Sequence, residues 1–303
     1  MDKKLLIEKI NKLKKEKNAV VLAHCYQRPE IDEVADFVGD SLFLSREAAK
    51  TDAEIVVFAG VYFMAETAKI LSPNKKVLLP NLDAGCEMAD MINLIKIREF
   101  KLKHPNIPVV CYVNSTAEVK AECDVCCTSA NAVNVVKALG VKKVLFVPDR
   151  NLGSYVQSQL KDVEVICFDG YCPIHNDITV QEIEEKIKLY PNAKVLVHPE
   201  CRAEILAYAD EVGSTTKILK TVAESNDNEF IIVTEQGVTD RLKRDFPNKT
   251  IVSISPNAIC KSMKFTSLED ILACLEEDKN EITVYNSILE SAYKPIEKMI
   301  SIS

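Results

Sequence analysis

Cys86, Cys172 and Cys260 recur at intervals of 86 and 88 residues. Three thiolates converging on one point fit either a zinc with three protein ligands or a cubane iron–sulfur cluster with one iron left without a protein ligand. An open position of either kind takes substrate oxygen and acts as a Lewis acid, helping hydroxide leave in a dehydration. Iron–sulfur sites usually have four cysteines, so the missing fourth points to catalysis rather than electron transfer. The residues able to exchange protons near neutral pH are His24, Tyr26, His175, His198 and Glu200. Of the four histidines, only His104, in the loop LKHPNIP, falls outside this set, and it reads as a surface residue.

Each cysteine closes a segment with the same residue pattern. His24, Tyr112 and His198 follow the apolar runs AVVLAH, IPVVCY and AKVLVH. Two residues on stand Tyr26, Asn114 and Glu200; six on, Glu30, Glu118 and Glu204; twelve on, Asp36, Asp124 and Asp210; seventeen on, Ser41, Ser129 and Thr215. A second apolar run brings Phe58, Phe146 and Ile232 into register 34 residues past each origin, and the cysteines follow at 62, 60 and 62. A period of about 87 residues is too long for a solenoid unit and suits triplication of a small α/β domain.

Within each repeat, short Val/Ile/Leu-rich runs alternate with longer stretches of mixed polarity, which reads as β-α-β-α-β. Near-continuous apolar strands imply parallel sheets buried on both faces, with helices as crossovers. The expected fold is therefore α/β, with three homologous αβα three-layer domains in a pseudo-threefold arrangement about a central active site. The expected boundaries are an N-terminal helix over 1–18 and repeats over 19–107, 108–192 and 193–303, the last with a C-terminal segment closing the site. Ligands of parallel sheets bind at the carboxyl ends of the strands, where His24, Tyr112, His198 and the three cysteines all fall.

The 303 residues are 47% hydrophobic, enough for several compact cores, and carry a net charge of −7. No Lys/Arg cluster of the kind that binds nucleic acid or a membrane surface dominates. The segment LLIEKINKLKKEKN has an apolar stripe at Leu5, Leu6, Ile10 and Leu13, which fits a surface helix rather than a signal peptide. No run approaches the roughly 18 apolar residues of a membrane span. A cytoplasmic location is expected, and there eleven cysteines are more readily metal ligands or core thiols than disulfides.

The conspicuous local motif, Cys123-x-x-Cys126-Cys127, has no counterpart in the other repeats and no second CxxC to complete a zinc site. It reads as small buried residues on a helix, and Cys25, Cys111, Cys167, Cys201 and Cys274 read as core thiols.

From about residue 19 to the C-terminus the chain resembles the quinolinate synthase family. The segments that carry the likeness are AHCYQRPEIDEVADFVGDSL, PNLDAGCEMAD, CYVNSTAEVKAECDVCCTSANA, FVPDRNLG, GYCPIH, VHPEC, GSTTKI and ICKSMK. The resemblance implies a 4Fe–4S cluster bound by Cys86, Cys172 and Cys260. It also implies a condensing enzyme of NAD biosynthesis that joins iminoaspartate to dihydroxyacetone phosphate, releasing phosphate and two waters to leave quinolinate. By similarity to the family, Glu200 is the base that abstracts protons beside a carbonyl or imine, Tyr26 and His198 shuttle protons, and His24 and His175 orient substrate or its phosphate. Ser41, Ser129, Thr215, Tyr112 and Asn114 match positions that hold substrate, supplying hydroxyls, a phenol and an amide to its carboxylates. A Ser or Thr in front of a helix also fits an N-cap, and a helix N-terminus attracts anions, so the two roles are compatible. An aspartate-oxidising enzyme would be the functional partner that supplies the imine. Two other readings stand beside this one: a hydro-lyase of another substrate using the same open iron, and an iron–sulfur or zinc sensor responding to oxidation. A sensor has no need of hydroxyls, histidines and a carboxylate converging on the metal.

Overall fold

The computed structural model describes residues 2–302. Its strands fall into three parallel four-stranded sheets. The first holds β1 (Ala19–His24), β2 (Phe37–Gly39), β3 (Ile55–Ala59) and β4 (Lys76–Leu78) in the order β2-β1-β3-β4. The second holds β5 (Val109–Tyr112), β6 (Val125–Cys127), β7 (Lys143–Val147) and β8 (Glu164–Cys167) in the order β6-β5-β7-β8. The third holds β9 (Lys194–Val197), β10 (Glu211–Val212), β11 (Glu229–Val233) and β12 (Thr250–Ser253) in the order β10-β9-β11-β12.

The alternation of apolar runs predicts three strands per repeat; the structure adds a fourth, the short edge strand β2, β6 or β10. Two or three residues are too few to stand out as an apolar run, and what creates the strand is the aspartate twelve residues past each repeat origin. The carboxylates of Asp36, Asp124 and Asp210 accept the N–H of Val21, Val109 and Val195 at 2.7, 2.7 and 2.8 Å. Their own N–H groups donate to the carbonyls of the same three valines at 2.9, 3.0 and 2.9 Å. Both polar groups of one central-strand residue are thus satisfied, and the chain enters the edge strand already in register.

Successive side chains of a strand point to opposite faces, so a strand apolar throughout serves two cores. In the first sheet Val20, Leu22, Val56 and Phe58 pack on one face, while Val21, Ala23, Val57 and Ala59 pack on the other. In the third sheet Val195, Val197, Ile231 and Val233 oppose Leu196, Phe230 and Ile232 in the same way.

Seven residues past each cysteine of the trio, a side chain caps a helix. Asn93, Thr179 and Ser267 accept the N–H of Lys96, Glu182 and Asp270 ahead of the helices Leu94–Lys103, Val180–Leu189 and Leu268–Glu277. The last of these, which follows the third sheet, packs through Ile271 and Leu272 onto the first sheet and beside the N-terminal helix Lys3–Glu16. That N-terminal helix buries Leu6 and Ile10, whereas Leu5 of the expected stripe is 45% exposed. The C-terminal helix Asn286–Ser301 lies against β6 and the helices Tyr62–Leu71 and Ala117–Ala121. No helix among the described residues is long and apolar enough to cross a membrane.

Candidate active site

The three repeat origins end equivalent strands: His24 and Tyr112 are the last residues of β1 and β5, and His198 is the first residue beyond β9. The cysteines occupy a second equivalent place, beyond the fourth strand of each sheet. Cys86 and Cys172 immediately precede the short helices Glu87–Asp90 and Pro173–Asn176, and Cys260 precedes the single turn Ser262–Lys264. At each one, burial pushes the thiol pKa up, and the backbone N–H three residues on, that of Ala89, His175 or Met263, works against this by favouring the thiolate.

One cavity is lined by all thirteen residues singled out in the sequence. The first repeat contributes His24, Tyr26, Ser41 and Cys86, the second Tyr112, Asn114, Ser129, Cys172 and His175, and the third His198, Glu200, Thr215 and Cys260. Among the described residues, the last in the chain to line it is Met263.

The N-cap alternative for the hydroxyls resolves by one residue. Asp40 and Ser214 do the capping, accepting the N–H of Phe43 at 3.0 Å and of Lys217 at 3.3 Å, which leaves Ser41 and Thr215 free to face the cavity. Thr215 donates to the Tyr26 hydroxyl at 3.3 Å, and that hydroxyl lies 3.1 Å from Thr234 Oγ1. Asn114 lines the cavity with its buried Oδ1 lacking any protein partner, an acceptor placed where a ligand donor would satisfy it.

Glu200 is the electrostatic centre. Its Oε1 accepts the Tyr112 hydroxyl, and its Oε2 lies 2.8 Å from His175 Nδ1 and 3.8 Å from His198 Nδ1. Burial opposes ionisation of this carboxyl, but the neighbouring His175 and His198 and the hydrogen bonds from His175 and Tyr112 outweigh it and hold the pKa at about 2. Burial pushes His24 and His198 down to about 3, so both are neutral at pH 7. With His198 neutral, the interaction with His175 and the hydrogen bonds from His175 and Tyr112 are what keep Glu200 ionised. Burial also pushes the Tyr26 and Tyr112 phenols up, so both remain protonated donors.

Backbone geometry fixes which imidazole nitrogen carries the proton. His24 Nδ1 accepts the N–H of Tyr26 at 3.2 Å, and His198 Nδ1 accepts the N–H of Glu200 at 3.4 Å. In each ring Nε2–H is then the donating nitrogen. His175, stacked on His198 at 4.7 Å between ring centres, is tied to Cys172 Sγ at 3.2 Å and to Thr234 Oγ1 at 2.8 Å.

The three thiols suit a multi-iron core better than a single ion. Thiolates on one tetrahedral zinc, with Zn–S of about 2.3 Å, lie within about 4 Å of one another. Among the described residues the donor set confined to 4.8 Å is Cys172, His175 and Glu200, and the sulfurs of Cys86 and Cys260 fall outside it. The cysteine trio is spread wider, around one cavity, which suits thiolates that each take a different iron of a cluster.

Other features lay beyond the sequence reading. Cys126 and Cys127 belong to strand β6, not to a helix, and Cys123 ends the preceding turn with its sulfur donating to Val119 O at 3.0 Å. None of the three lines the cavity, and all eleven cysteines are free thiols. The supporting residues missed are Thr234, Glu235 and Asn151, whose side-chain amide donates to the Glu200 carbonyl at 3.0 Å. Asp149 and Glu235 occupy equivalent register positions, 37 residues past Tyr112 and His198, and that spacing was the available signal.

Three parallel four-stranded sheets whose strand ends feed one thiol-lined, acid–base-equipped cavity define an α/β protein of three repeats built around a single site. The family model described as quinolinate synthetase A protein matches residues 8–301. A quinolinate synthase of Alkaliphilus metalliredigens is 52% identical over 302 residues, spanning 100% of both chains. One of Dehalococcoides mccartyi is 51% identical over 299 residues, 99% of each chain, and one of Aquifex aeolicus is 47% identical over 305 residues, 99% of this chain and 95% of its own. The chain belongs to the quinolinate synthase family.

Proposed function

We propose that the chain condenses iminoaspartate with dihydroxyacetone phosphate to quinolinate, with loss of phosphate and two waters, as a cytoplasmic step of NAD biosynthesis fed by an aspartate-oxidising enzyme. The observation that supports this most directly is the cavity itself, where one cysteine from each repeat meets an ionised, buried Glu200 and two neutral histidines. A 4Fe–4S cluster held by Cys86, Cys172 and Cys260 would supply an iron without a protein ligand as the Lewis acid for the dehydrations.

The rest is work for side chains. Glu200, buried and charged, is placed to take a proton from a carbon or nitrogen beside a carbonyl or imine. The Tyr112 hydroxyl and His175 stabilise its charge beforehand and define the direction from which a proton can arrive. The Nε2–H groups of His24 and His198 donate to substrate oxygens without carrying charge. The Tyr26 hydroxyl, between Thr215 and Thr234, can accept a proton from one side and pass one on at the other. Ser41, Ser129 and Asn114 add donors for two carboxylates and a phosphate.

Anaerobic reconstitution with iron and sulfide, followed by a quinolinate assay with both substrates, tests the reading. About four irons per chain with product is the expected result. A full cluster without product would point to a hydro-lyase of another substrate, and zinc without sulfide would overturn the mechanism. Glu200→Gln should keep the cluster and lose nearly all turnover; undiminished turnover would remove Glu200 from the role of base.

A further inference from the structure

The position 37 residues past each repeat origin holds Val61, Asp149 and Glu235. All three are N-cap residues of the helix that follows the third strand of their sheet. Val61 has no polar side chain to offer. Asp149 places Oδ1 against the N–H groups of Asn151 and Leu152 at 2.8 and 3.3 Å and leaves its buried Oδ2 without a partner. Glu235, one methylene longer, gives Oε2 to the N–H of Gly237 at 2.6 Å and extends Oε1 to two further groups. These are the backbone N–H of Cys260 at 3.1 Å and Lys264 Nζ at 3.1 Å.

Lys264 in turn donates to the backbone carbonyl of Tyr26, and its own carbonyl accepts from Arg28 Nε at 2.7 Å. A carboxylate that is 0% exposed thus touches the amide of one cysteine of the trio and, through one ammonium, the main chain of a residue in another repeat. The junction has no slack. A Cβ on Gly237 would stand 2.8 Å from Glu235 Oε2, 2.9 Å from Lys264 Nζ and 3.0 Å from Tyr26 Cα.

We propose that Glu235 and Lys264 are a positioning pair that ties the Cys260 loop to the Tyr26 strand end, holding the thiol and the phenol in one fixed relation across the cavity. The inference rests on the reading that Cys260 ligates the cluster and Tyr26 acts on substrate. Glu235 borders the cavity, but its two oxygens are taken by the N–H groups of Gly237 and Cys260 and by Lys264 Nζ, so the pair acts through the backbone groups that carry those side chains. A bare buried carboxylate is unfavourable, so the amide and the ammonium are its necessary partners, and removing either loosens the other end.

Glu235→Asp and Lys264→Met test the pair. Glu235→Asp keeps the charge and the cap and withdraws the carboxylate, as at Asp149. Lys264→Met removes the ammonium and keeps the aliphatic stem. Three readouts apply: release of iron to a chelator from the reconstituted enzyme, backbone hydrogen exchange over residues 25–28, and steady-state kinetics. Both variants should release iron about tenfold faster, and Lys264→Met should also exchange faster over 25–28. A displacement of Tyr26 by even about 1 Å can lower turnover by about 100-fold, and here that loss should fall on kcat more than on KM. Lys264→Arg, which keeps a donor, should recover most of the exchange protection and turnover. If Lys264→Met does not fold, Glu235→Asp decides alone, and iron release at the wild-type rate in that variant refutes the proposal. Wild-type protein that takes up no iron and sulfide would refute the cluster reading, whereas a loaded wild type with unchanged variants would refute the pairing by itself.

Discussion

Lowering the pH from 7.5 to 5 should destabilise this protein through two particular imidazoles. Burial pushes His24 and His198 down to about 3, with the Lys264 charge adding to the effect at His24 and His175 adding to it at His198. A histidine in the unfolded chain titrates near 6.5. Between about 3 and 6.5 the unfolded state therefore binds protons that the folded state refuses, and stability rises with pH across that window. The stabilisation is complete above 6.5 and is lost as the pH falls towards 3. At pH 5 the loss is about 1.5 pH units, or about 2 kcal/mol for each ring and about 4 kcal/mol for both. Against a typical total of about 5–15 kcal/mol, that is a large fraction. Glu200 does not interfere, because its contribution, held by a pKa of about 2, is present above about 4.5 and is lost only below it. Urea unfolding of wild type, His198→Gln and the His24→Gln/His198→Gln double variant at both pH values provides the measurement. The double variant should lose about 4 kcal/mol less than wild type between pH 7.5 and 5. Equal losses would mean that the rings are already protonated in the folded state. The account of two neutral Nε2–H donors would then be wrong, and the rings would have to be treated as cationic acids.

Cys86→Ala, Cys172→Ala and Cys260→Ala should each abolish iron binding on reconstitution, while Cys126→Ala, in strand β6 and outside the cavity lining, should keep a full complement; loss of iron from Cys126→Ala would reopen the ligand assignment. Asp210→Ala removes the acceptor of the Val195 N–H and the entry to strand β10, and should lower stability by about 1 kcal/mol in denaturant titration without changing iron content. Gly237→Ala, which forces a methyl group against Glu235, Lys264 and the Tyr26 backbone, should lower stability by about 1–3 kcal/mol and quicken iron release, whereas a neutral result would show that the junction can yield.

The features legible in the sequence are those that the three repeats share. The strand-end origins and the hydroxyls seventeen residues on kept exact register, the cysteines kept it to within two residues, and all line the cavity. The central strands were legible because they are buried on both faces and so are apolar throughout. The edge strands were not, since β2, β6 and β10 are two or three residues long and owe their place to a hydrogen-bonded aspartate rather than to apolar content. The Asp36, Asp124 and Asp210 spacing was visible; its purpose became clear only when the carboxylates were seen on the backbone of the neighbouring strand.

Register fails where the lobes must differ, and a site for the two unlike substrates proposed above would require that they differ. The slot three residues past each cysteine shows the division of labour. Its backbone N–H is common to all three repeats and serves the sulfur, but its side chains are Ala89, His175 and Met263, of which only His175 reaches Glu200. The helix cap 37 residues past each origin behaves alike, with Val61 inert, Asp149 too short and Glu235 long enough to hold Cys260. Backbone symmetry brings three sulfurs, one from each repeat, to one cavity, and side-chain asymmetry at the same equivalent positions gives that cavity a direction. Repeat arithmetic can locate the first, while the second depends on how far individual side chains reach.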